Sequence, residues 1–245
     1  MTPREATLHH LKQLKGQPVK EQFSYILENF WLPIIAVLAA IVFLSSLVVH
    51  WATQKTNVLT LCCINAISSD EDTDAYLQRF ATDQGIDPDQ YTLRTERIYI
   101  GNDAETDYQY FQAFAAMQIA GDLDVAVAEY ATIVDFAYSG YFTDLTKALT
   151  QEQFTALSSY FLYIDQSLLE DAGNPTEEAP VYPDPTKPEE MEKPIPVAIT
   201  LQPDWRFTTD CYPYTYEKNA IALFVNGNNA DNATAFLQYI LNGKG

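Results

Sequence analysis

The sequence predicts an α/β protein, with an N-terminal transmembrane helix followed by a single, mostly parallel-sheet lobe that has helices on both faces. Two observations carry this prediction. The stretch from Phe30 to Trp51 is a continuous apolar run in which His50 is the only titratable residue. After it, apolar runs and helix-like stretches follow in a strand–helix–strand–helix–strand order. That order is typical of parallel strands joined by right-handed crossovers.

The apolar run has the length and the flanking residues of a membrane-spanning helix. A helix rises about 1.5 Å per residue, so about 20 apolar residues cross a hydrocarbon core of about 30 Å. Trp31 and Trp51 lie near its two ends, where aromatic rings prefer the interface, and Pro33 falls in the first turn. A cleaved signal peptide is the alternative, but its apolar region is usually shorter and ends at a small-residue cleavage site. We expect an uncleaved anchor.

The basic residues around the run predict its orientation. Four of them precede it: Arg4, Lys12, Lys15 and Lys20. Lys55 is the only one that follows closely, so the positive-inside rule places the N-terminus in the cytoplasm. We therefore expect a single-pass protein of a bacterial cell membrane. Its predicted parts are a cytoplasmic tail (1–29), the membrane helix (30–51), a tether (52–57) and an extracytoplasmic lobe (58–245).

The composition limits the partners of the lobe. The chain carries 33 Asp and Glu against 14 Lys and Arg, a formal net charge of −19. Such an acidic surface repels nucleic acid and the anionic bilayer surface. We expect lipid contact through residues 30–51 alone, and no binding of nucleic acid.

The first half of the lobe reads as alternating strands and helices. Predicted strands cover 58–66, 91–100 and 123–128. The first predicted helix follows the capping residues Ser68 to Asp70, places Tyr76, Leu77, Phe80 and Ala81 on one face, and ends at Gly85. The second covers 104–120 and has a recurring stripe, which predicts its buried face: Tyr108, Phe111, Ala115 and Ile119.

The second half continues with a short helix over 133–138 and a capping box formed by Thr150 and Gln153. Four apolar residues recur there at helical spacing and predict one longer helix: Phe154, Leu157, Phe161 and Ile164. A loop rich in Pro and Glu spans 170–194. Strands are predicted over 195–201 and 220–225, and Asp231 is the predicted cap of a final helix.

Cysteine and histidine usage excludes several kinds of chemistry. Cys62 and Cys63 are neighbours on a predicted strand, so they face opposite sides and at most one of them can reach Cys211. All three histidines, His9, His10 and His50, precede the lobe. The lobe therefore lacks the histidine base of a Ser or Cys hydrolase and the histidine ligands of most zinc sites. We expect no catalytic residue, no metal and no cofactor.

Ligands of parallel α/β sheets usually meet the loops at the carboxyl ends of the strands. These loops contain Ser68, Ser69, Asn102, Glu129 and Tyr130. Tyr212 and Tyr214 lie at alternate positions of a segment predicted to be extended (208–216), so they share one face and can stack on a sugar or a peptide. Packing in the core is the alternative role for these tyrosines. The seven residues are the candidate contacts for a ligand or a partner.

Two stretches carry a resemblance to a known family. The first is AGDLDVAVAE (120–129), followed by FAYSGYFTDL (136–145). The second is AIALFVN (220–226), followed by NADNATAFLQYIL (229–241). Their order resembles the extracellular solute-binding proteins of ABC importers, of the type II periplasmic-binding-protein-like class. The resemblance implies an α/β lobe that binds solutes or contacts a permease.

The chain departs from that family because only one of the two usual lobes has a place in the sequence. A clamp that lacks its facing lobe buries less of a small ligand. Together with the predicted membrane anchor, the resemblance therefore implies a non-enzymatic binding or accessory module beside a membrane protein such as a permease. Two alternatives involve a ligand or a substrate. The first is a small-solute binding protein for a sugar, peptide or amino acid, and the second is a carboxylate-based hydrolase using Glu129 with Asp70, Asp72 or Asp103. A structural spacer is a third alternative.

Overall fold

The computed structural model describes residues 18–65, 70–99, 104–169, 182–212 and 218–243. The chain divides into two compact units, Met1–Gln54 and Lys55–Gly245. The described part of the first unit is a single helix, α1 (Val19–Ala52). It contains a 22-residue segment, Phe30–Trp51, with a mean hydropathy of 2.8, which is long and apolar enough to cross a membrane.

Helix α1 begins upstream of the predicted segment and is irregular where that segment starts. Phe30 has non-helical torsion angles (φ −124°, ψ 16°), three residues before Pro33. A proline inside a helix lacks the N–H of the backbone ladder, and its ring clashes with the carbonyl of the residue four positions earlier. Pro33 therefore accounts for the break at Phe30, which separates the apolar segment from residues 19–29.

The second unit contains six strands and the helices between them. The strands are β1 (Thr56–Ile64), β2 (Tyr91–Ile98), β3 (Val125–Glu129), β4 (Phe161–Asp165), β5 (Pro194–Thr200) and β6 (Asn219–Leu223). The helices are α2 (Asp70–Asp83), α3 (Ala104–Ala120), α4 (Tyr130–Tyr138), α5 (Gln151–Leu157), α6 (Arg206–Cys211) and α7 (Ala230–Asn242). Short 3-10 turns cover Ser158–Tyr160, Gln166–Leu168 and Pro188–Glu190.

The strands form one open six-stranded sheet in the order β2-β1-β3-β6-β5-β4. Strand β1 pairs in parallel with both β2 and β3. Strand β6 then pairs antiparallel with β3 and β5, and β4 pairs antiparallel with β5. Four strands, β1, β2, β3 and β5, therefore run in the same direction, and β4 and β6 run against them. The predicted α/β class is confirmed, with a mixed sheet.

Helices cover both faces of the sheet, as predicted. One core layer contains Leu61 and Cys63 from β1 together with apolar residues of α2, α5, α6 and α7. The other contains Cys62 and Ile64 from β1 together with apolar residues of α3 and α4. The alternation along β1 therefore puts Cys62 and Cys63 on opposite faces, and Cys211 joins the layer of Cys63. All three cysteines are buried and none forms a disulfide.

Two of the predicted elements are wrong. The helix with the Thr150 capping box ends at Leu157, and Phe161 and Ile164 belong to strand β4. Phe161 packs in one core layer and Leu162 in the other, so this strand is buried on both faces. Apolar residues on both faces of a strand can also fit a helical spacing. The segment predicted to be extended from 208 starts inside helix α6, which ends at Cys211.

The start of β3 is held in place by Asp124, which is buried. Its carboxylate accepts hydrogen bonds from the Thr60 N–H (2.7 Å), the Asn229 N–H (2.9 Å) and the Asn229 side-chain amide (3.0 Å). Its own carbonyl accepts from the Phe224 N–H at 3.0 Å. The side chain therefore ties the start of β3 to β1 and to the residue before α7, and the backbone carbonyl of the same residue adds the end of β6. Asn229 also takes the N-cap position that the sequence assigned to Asp231.

Gly121 ends α3 in the left-handed region, with φ of 74°. A Cβ at this position would lie 2.6 Å from the Asn226 carbonyl oxygen and 2.8 Å from the Asn228 Oδ1. Gly140 has a similar φ of 79°, but a Cβ there meets nothing within 4 Å. The two glycines therefore share their conformation and differ in their surroundings.

We predict that Gly121→Ala destabilises the lobe more than Gly140→Ala. Both variants force alanine into the left-handed region, which costs about 1–2 kcal/mol. Only Gly121→Ala also meets a backbone oxygen, which adds about 1–3 kcal/mol of overpacking. Urea unfolding of residues 55–245 measures both free energies. Equal losses in the two variants would contradict the close approach of Gly121 to the loop before α7.

Candidate functional site

The carboxyl ends of the parallel strands form the edge where the sequence predicts ligand contacts. We call the carboxyl edge the end of the sheet formed by Asn65, Tyr99, Glu129, Lys218 and Asn219. Four of the predicted contacts lie outside the described residues: Ser68, Ser69, Asn102 and Tyr214.

Glu129 and Tyr130 lie together at the end of β3. Glu129 is the last residue of the strand, pairs with Asn219 of β6 and is half-buried. Tyr130 begins α4, and its N–H donates to the Lys218 carbonyl at 3.0 Å. The Lys218 ammonium group lies 5.5 Å from the centre of the Tyr130 ring, within the range of a cation–π contact. The antiparallel return of β6 thus adds a cation to two of the predicted site residues.

Asn219 belongs to this edge, although the sequence analysis did not select it. The residue is 4% exposed, and its backbone carbonyl accepts from the Leu201 N–H at 2.8 Å. Its side-chain oxygen is buried and has no hydrogen-bond partner among the described residues. A buried acceptor without a partner is costly and rare in native proteins. The signal for it is one amide at the head of the otherwise apolar run 219–225.

Tyr212 is a core residue of the described structure. It is 1% exposed, and its hydroxyl oxygen lies 2.6 Å from the Cys63 Sγ. Burial raises its pKa well above the usual value for tyrosine, and Cys63 adds to the shift. Helix α6 turns this ring inward, because the segment is helical where an extended chain was predicted. The packing alternative therefore describes Tyr212.

Burial also makes two of the cysteine thiols poor nucleophiles. It raises the pKa of Cys211 to about 12 and that of Cys62 well above its usual value. The thiolate is the nucleophilic form of cysteine, so these two side chains stay protonated at neutral pH. Among the described residues, no group of three or more His, Cys, Asp or Glu side chains is placed to hold a metal ion.

Helix α3 presents a stripe of apolar side chains to solvent. The sequence predicts Tyr108, Phe111, Ala115 and Ile119 as its buried face, but the helix is buried through Phe114 and Gln118. Tyr108 is 64% exposed and Ile119 is 80% exposed. We call the α3 surface the group Tyr99, Tyr108, Tyr110, Phe111 and Ile119, of which Tyr99 and Tyr110 have ring centres 6.4 Å apart. The predicted periodicity is present, but it points away from the core.

Asp165 holds the C-terminal end of the Pro- and Glu-rich loop in place. Its carboxylate accepts hydrogen bonds from the Ser167 hydroxyl (2.6 Å), the Ser167 N–H (3.0 Å), the Glu192 N–H (2.7 Å) and the Lys193 N–H (3.0 Å). These donors, the Ser167 hydroxyl first, lower the pKa of Asp165 from 3.8 to about 2. The chain just before β5 is therefore held against the end of β4.

We predict that Asp165→Asn changes the acid stability of the lobe. A carboxyl group whose pKa is lowered by folding stabilises the protein above its unfolded-state pKa and loses this effect as the pH falls. The Asp165 contribution is therefore complete above pH of about 4 and is lost toward pH of about 2. Melting temperatures of wild type and variant should differ at neutral pH and converge in acid. Asp204→Asn, at an exposed position, is the control, and a constant difference at every pH would contradict this role.

Three cavities of the described residues lie away from the predicted contacts. Their volumes are about 550, 460 and 410 Å³, and none of them is lined by Glu129, Tyr130 or Tyr212. The first of these three lies between α2 and the start of β2, and the second lies beside Asp124 and the start of α7.

Comparison with known proteins gives matches among solved structures only. No protein-family model and no curated protein matches the sequence. Among solved structures, the chain is similar to an ABC substrate-binding protein from Listeria monocytogenes in complex with cycloalternan, with 17% identity and a TM-score of 0.27. The match covers 52% of this chain and 36% of that chain. Because a similarity this low does not establish relatedness, the proposals below rest on the residues of this chain.

Proposed function

We propose that the chain is a membrane-anchored, extracytoplasmic and non-enzymatic binding module whose partner is a membrane protein, with an ABC-type permease as the partner class. The α3 surface carries this proposal. Tyr108, Phe111 and Ile119 face solvent on one helix of an acidic chain. Large apolar side chains grouped at a surface mark interaction sites, and aromatic residues are enriched at the centres of protein interfaces.

Helix α1 supports the anchoring part of the proposal. No part of the Phe30–Trp51 window is buried inside the protein, so its apolar side chains need a lipid environment to leave water. The basic residues before the apolar segment Phe30–Trp51 support a cytoplasmic N-terminus, and Lys55 is the one basic residue soon after it. This arrangement would hold the lobe close to the outer face of the cell membrane, where partners in the same bilayer are available.

Two further points support the class of partner and the absence of catalysis. The order of the segments 120–129, 136–145 and 220–241 resembles binding proteins that deliver solutes to permeases. Histidine is absent from residues 52–245, and two of the three thiols are buried and protonated. A hydrolase would then depend on carboxylates such as Glu129 with Asp72, Asp70 or Asp103, and the last two side chains lie outside the described ones.

The proposal is tested by cross-linking the tagged full chain in intact membranes and purifying it under denaturing conditions. We expect one membrane protein to co-purify at a constant ratio, and a permease subunit would support the partner class. A tagged version of residues 1–54 alone is the control, because it keeps α1 and lacks the lobe. Recovery of the same proteins with the control, or of none with the full chain, would contradict the proposal.

The carboxyl edge favours a second candidate function, the binding of a small solute. Asn219 supplies an acceptor without a partner among the described residues, and Tyr130 and Lys218 supply a ring and a cation beside Glu129. A ligand that prefers the native state at 100 times its Kd adds about 2.7 kcal/mol of stability. A thermal-shift screen of residues 55–245 with sugars, amino acids and short peptides tests this candidate. A ligand-induced rise that Glu129→Gln abolishes would favour it over a protein partner.

A further inference from the structure

Strand β2 is an edge of the sheet and is paired on one side only. Its eight residues, Tyr91–Ile98, pair with β1 in parallel, and no described residue pairs with its other side. An edge strand presents a row of backbone N–H and C=O groups that can pair with another chain. At eight residues, β2 is long enough to form a full ladder with a second strand.

The side chains of β2 have a charge pattern that is complementary to itself. Arg94 and Glu96 lie two residues apart, so they share one face of the strand, and they form an ion pair. A second β2 can run antiparallel to the first with the two Thr95 residues opposite each other. In that register Arg94 of each copy lies opposite Glu96 of the other copy. Opposite charges in cross-strand pairs stabilise a sheet, and like charges in direct opposition destabilise it.

The geometry points to a homodimer in which two copies of the chain pair through their β2 edges about a two-fold axis at Thr95, so that one continuous sheet runs through both lobes. The same register brings Leu93 of each copy opposite Arg97 of the other, so the aliphatic part of the arginine covers an apolar side chain. Such an isologous interface closes after two copies, and open fibres do not form.

The charge of the protein is consistent with this choice of partner. The chain as a whole carries a net charge of −19, which opposes self-association. The β2 strand itself carries two arginines and one glutamate, so the strand does not add to this negative charge. Charged residues can also serve to keep edge strands apart. In that case the same pattern would leave the chain monomeric, which the experiments below distinguish.

Cysteine cross-linking of the full chain in its membrane tests the register. Directly opposite residues of an antiparallel pair have Cα atoms about 4.5–5.5 Å apart, which lies within the range of a disulfide. The native cysteines are buried, so a Thr95→Cys variant adds the one accessible thiol among the described residues. We expect mild oxidation to convert most of this variant to a band of twice the chain mass.

Thr155→Cys, at an exposed position of α5, is the control for random collision. Equal cross-linking of the two variants would overturn the proposal.

Charge variants of the full chain in detergent test the complementarity. Arg94→Glu and Glu96→Arg each place like charges opposite each other, and we expect each variant to dimerise at least about tenfold more weakly than wild type. An equimolar mixture of the two restores opposite charges across the axis and should form the heterodimer. The double variant with both changes should form a homodimer again.

The control for these charge variants is Lys187→Glu, in the exposed turn near β4, which should have no effect. Failure of the mixture to dimerise, or undiminished dimers of either single variant, would overturn the proposed register.

Discussion

The Asp124→Ala variant is expected to lose about 3 kcal/mol or more of its free energy of unfolding. The change removes a buried carboxylate that accepts from two backbone N–H groups and one side-chain amide. Alanine offers no acceptor, so the Thr60 and Asn229 donors stay buried without a partner. A typical small domain has only about 5–15 kcal/mol of stability, so the loss is a large share of the total.

Urea unfolding of residues 55–245, with Asp122→Ala as the matched control, measures this loss. Asp122 lies two residues earlier in the same turn and is exposed. The control removes one carboxylate of the same net charge and should change stability by less than about 0.5 kcal/mol. A similar stability for the two variants would show that Asp124 does not hold β1, β3 and the start of α7 together.

Replacing Tyr108 and Ile119 by serine is expected to reduce capture of the membrane partner by about thirtyfold or more. Truncating an interface residue that dominates binding costs about 2 kcal/mol, which corresponds to that factor. Both side chains are mainly exposed, so the lobe should keep its melting temperature. The readout is the amount of partner recovered per mole of chain after cross-linking in membranes.

The matched control replaces two neighbouring polar residues, Gln109 and Gln112, which are exposed on the same helix. Serine at these positions lowers helix propensity slightly more than it does at Tyr108 and Ile119, and it leaves the apolar stripe in place. Capture should then stay within about twofold of wild type. Unchanged capture by the Tyr108 and Ile119 variant would mean that the partner binds elsewhere.

Most elements of the lobe could be predicted because local pattern and burial agree. Strands β1 and β3 are continuous apolar runs, and both are buried between two helical layers. The capping box of Thr150 and Gln153 is formed as its spacing predicts. Helix α3 begins and ends at the predicted residues. In each case a short stretch of chain contains the whole signal.

The wrong predictions arise where contacts with a distant part of the chain determine the local structure. Phe161 and Ile164 fit a helical period, but pairing with β5 makes their segment a strand. The stripe from Tyr108 to Ile119 has the predicted helical spacing, yet α3 packs through Phe114 and Gln118, which lie on a neighbouring face of the helix. Asn219 joins the carboxyl edge only because β6 runs antiparallel to β3, and its local sequence does not indicate that pairing.

Site-directed photo-cross-linking from residue 119 tests the central proposal, that the lobe is a module which contacts a membrane protein, most directly. A photoreactive amino acid replaces Ile119 in the full chain, and light is applied to intact membranes. We expect one strong adduct with a membrane protein. The same probe at Thr155, an exposed position of α5, should give little of it. Equal adducts from both positions, or none from position 119 in a folded chain, would contradict the proposal that α3 contacts the partner.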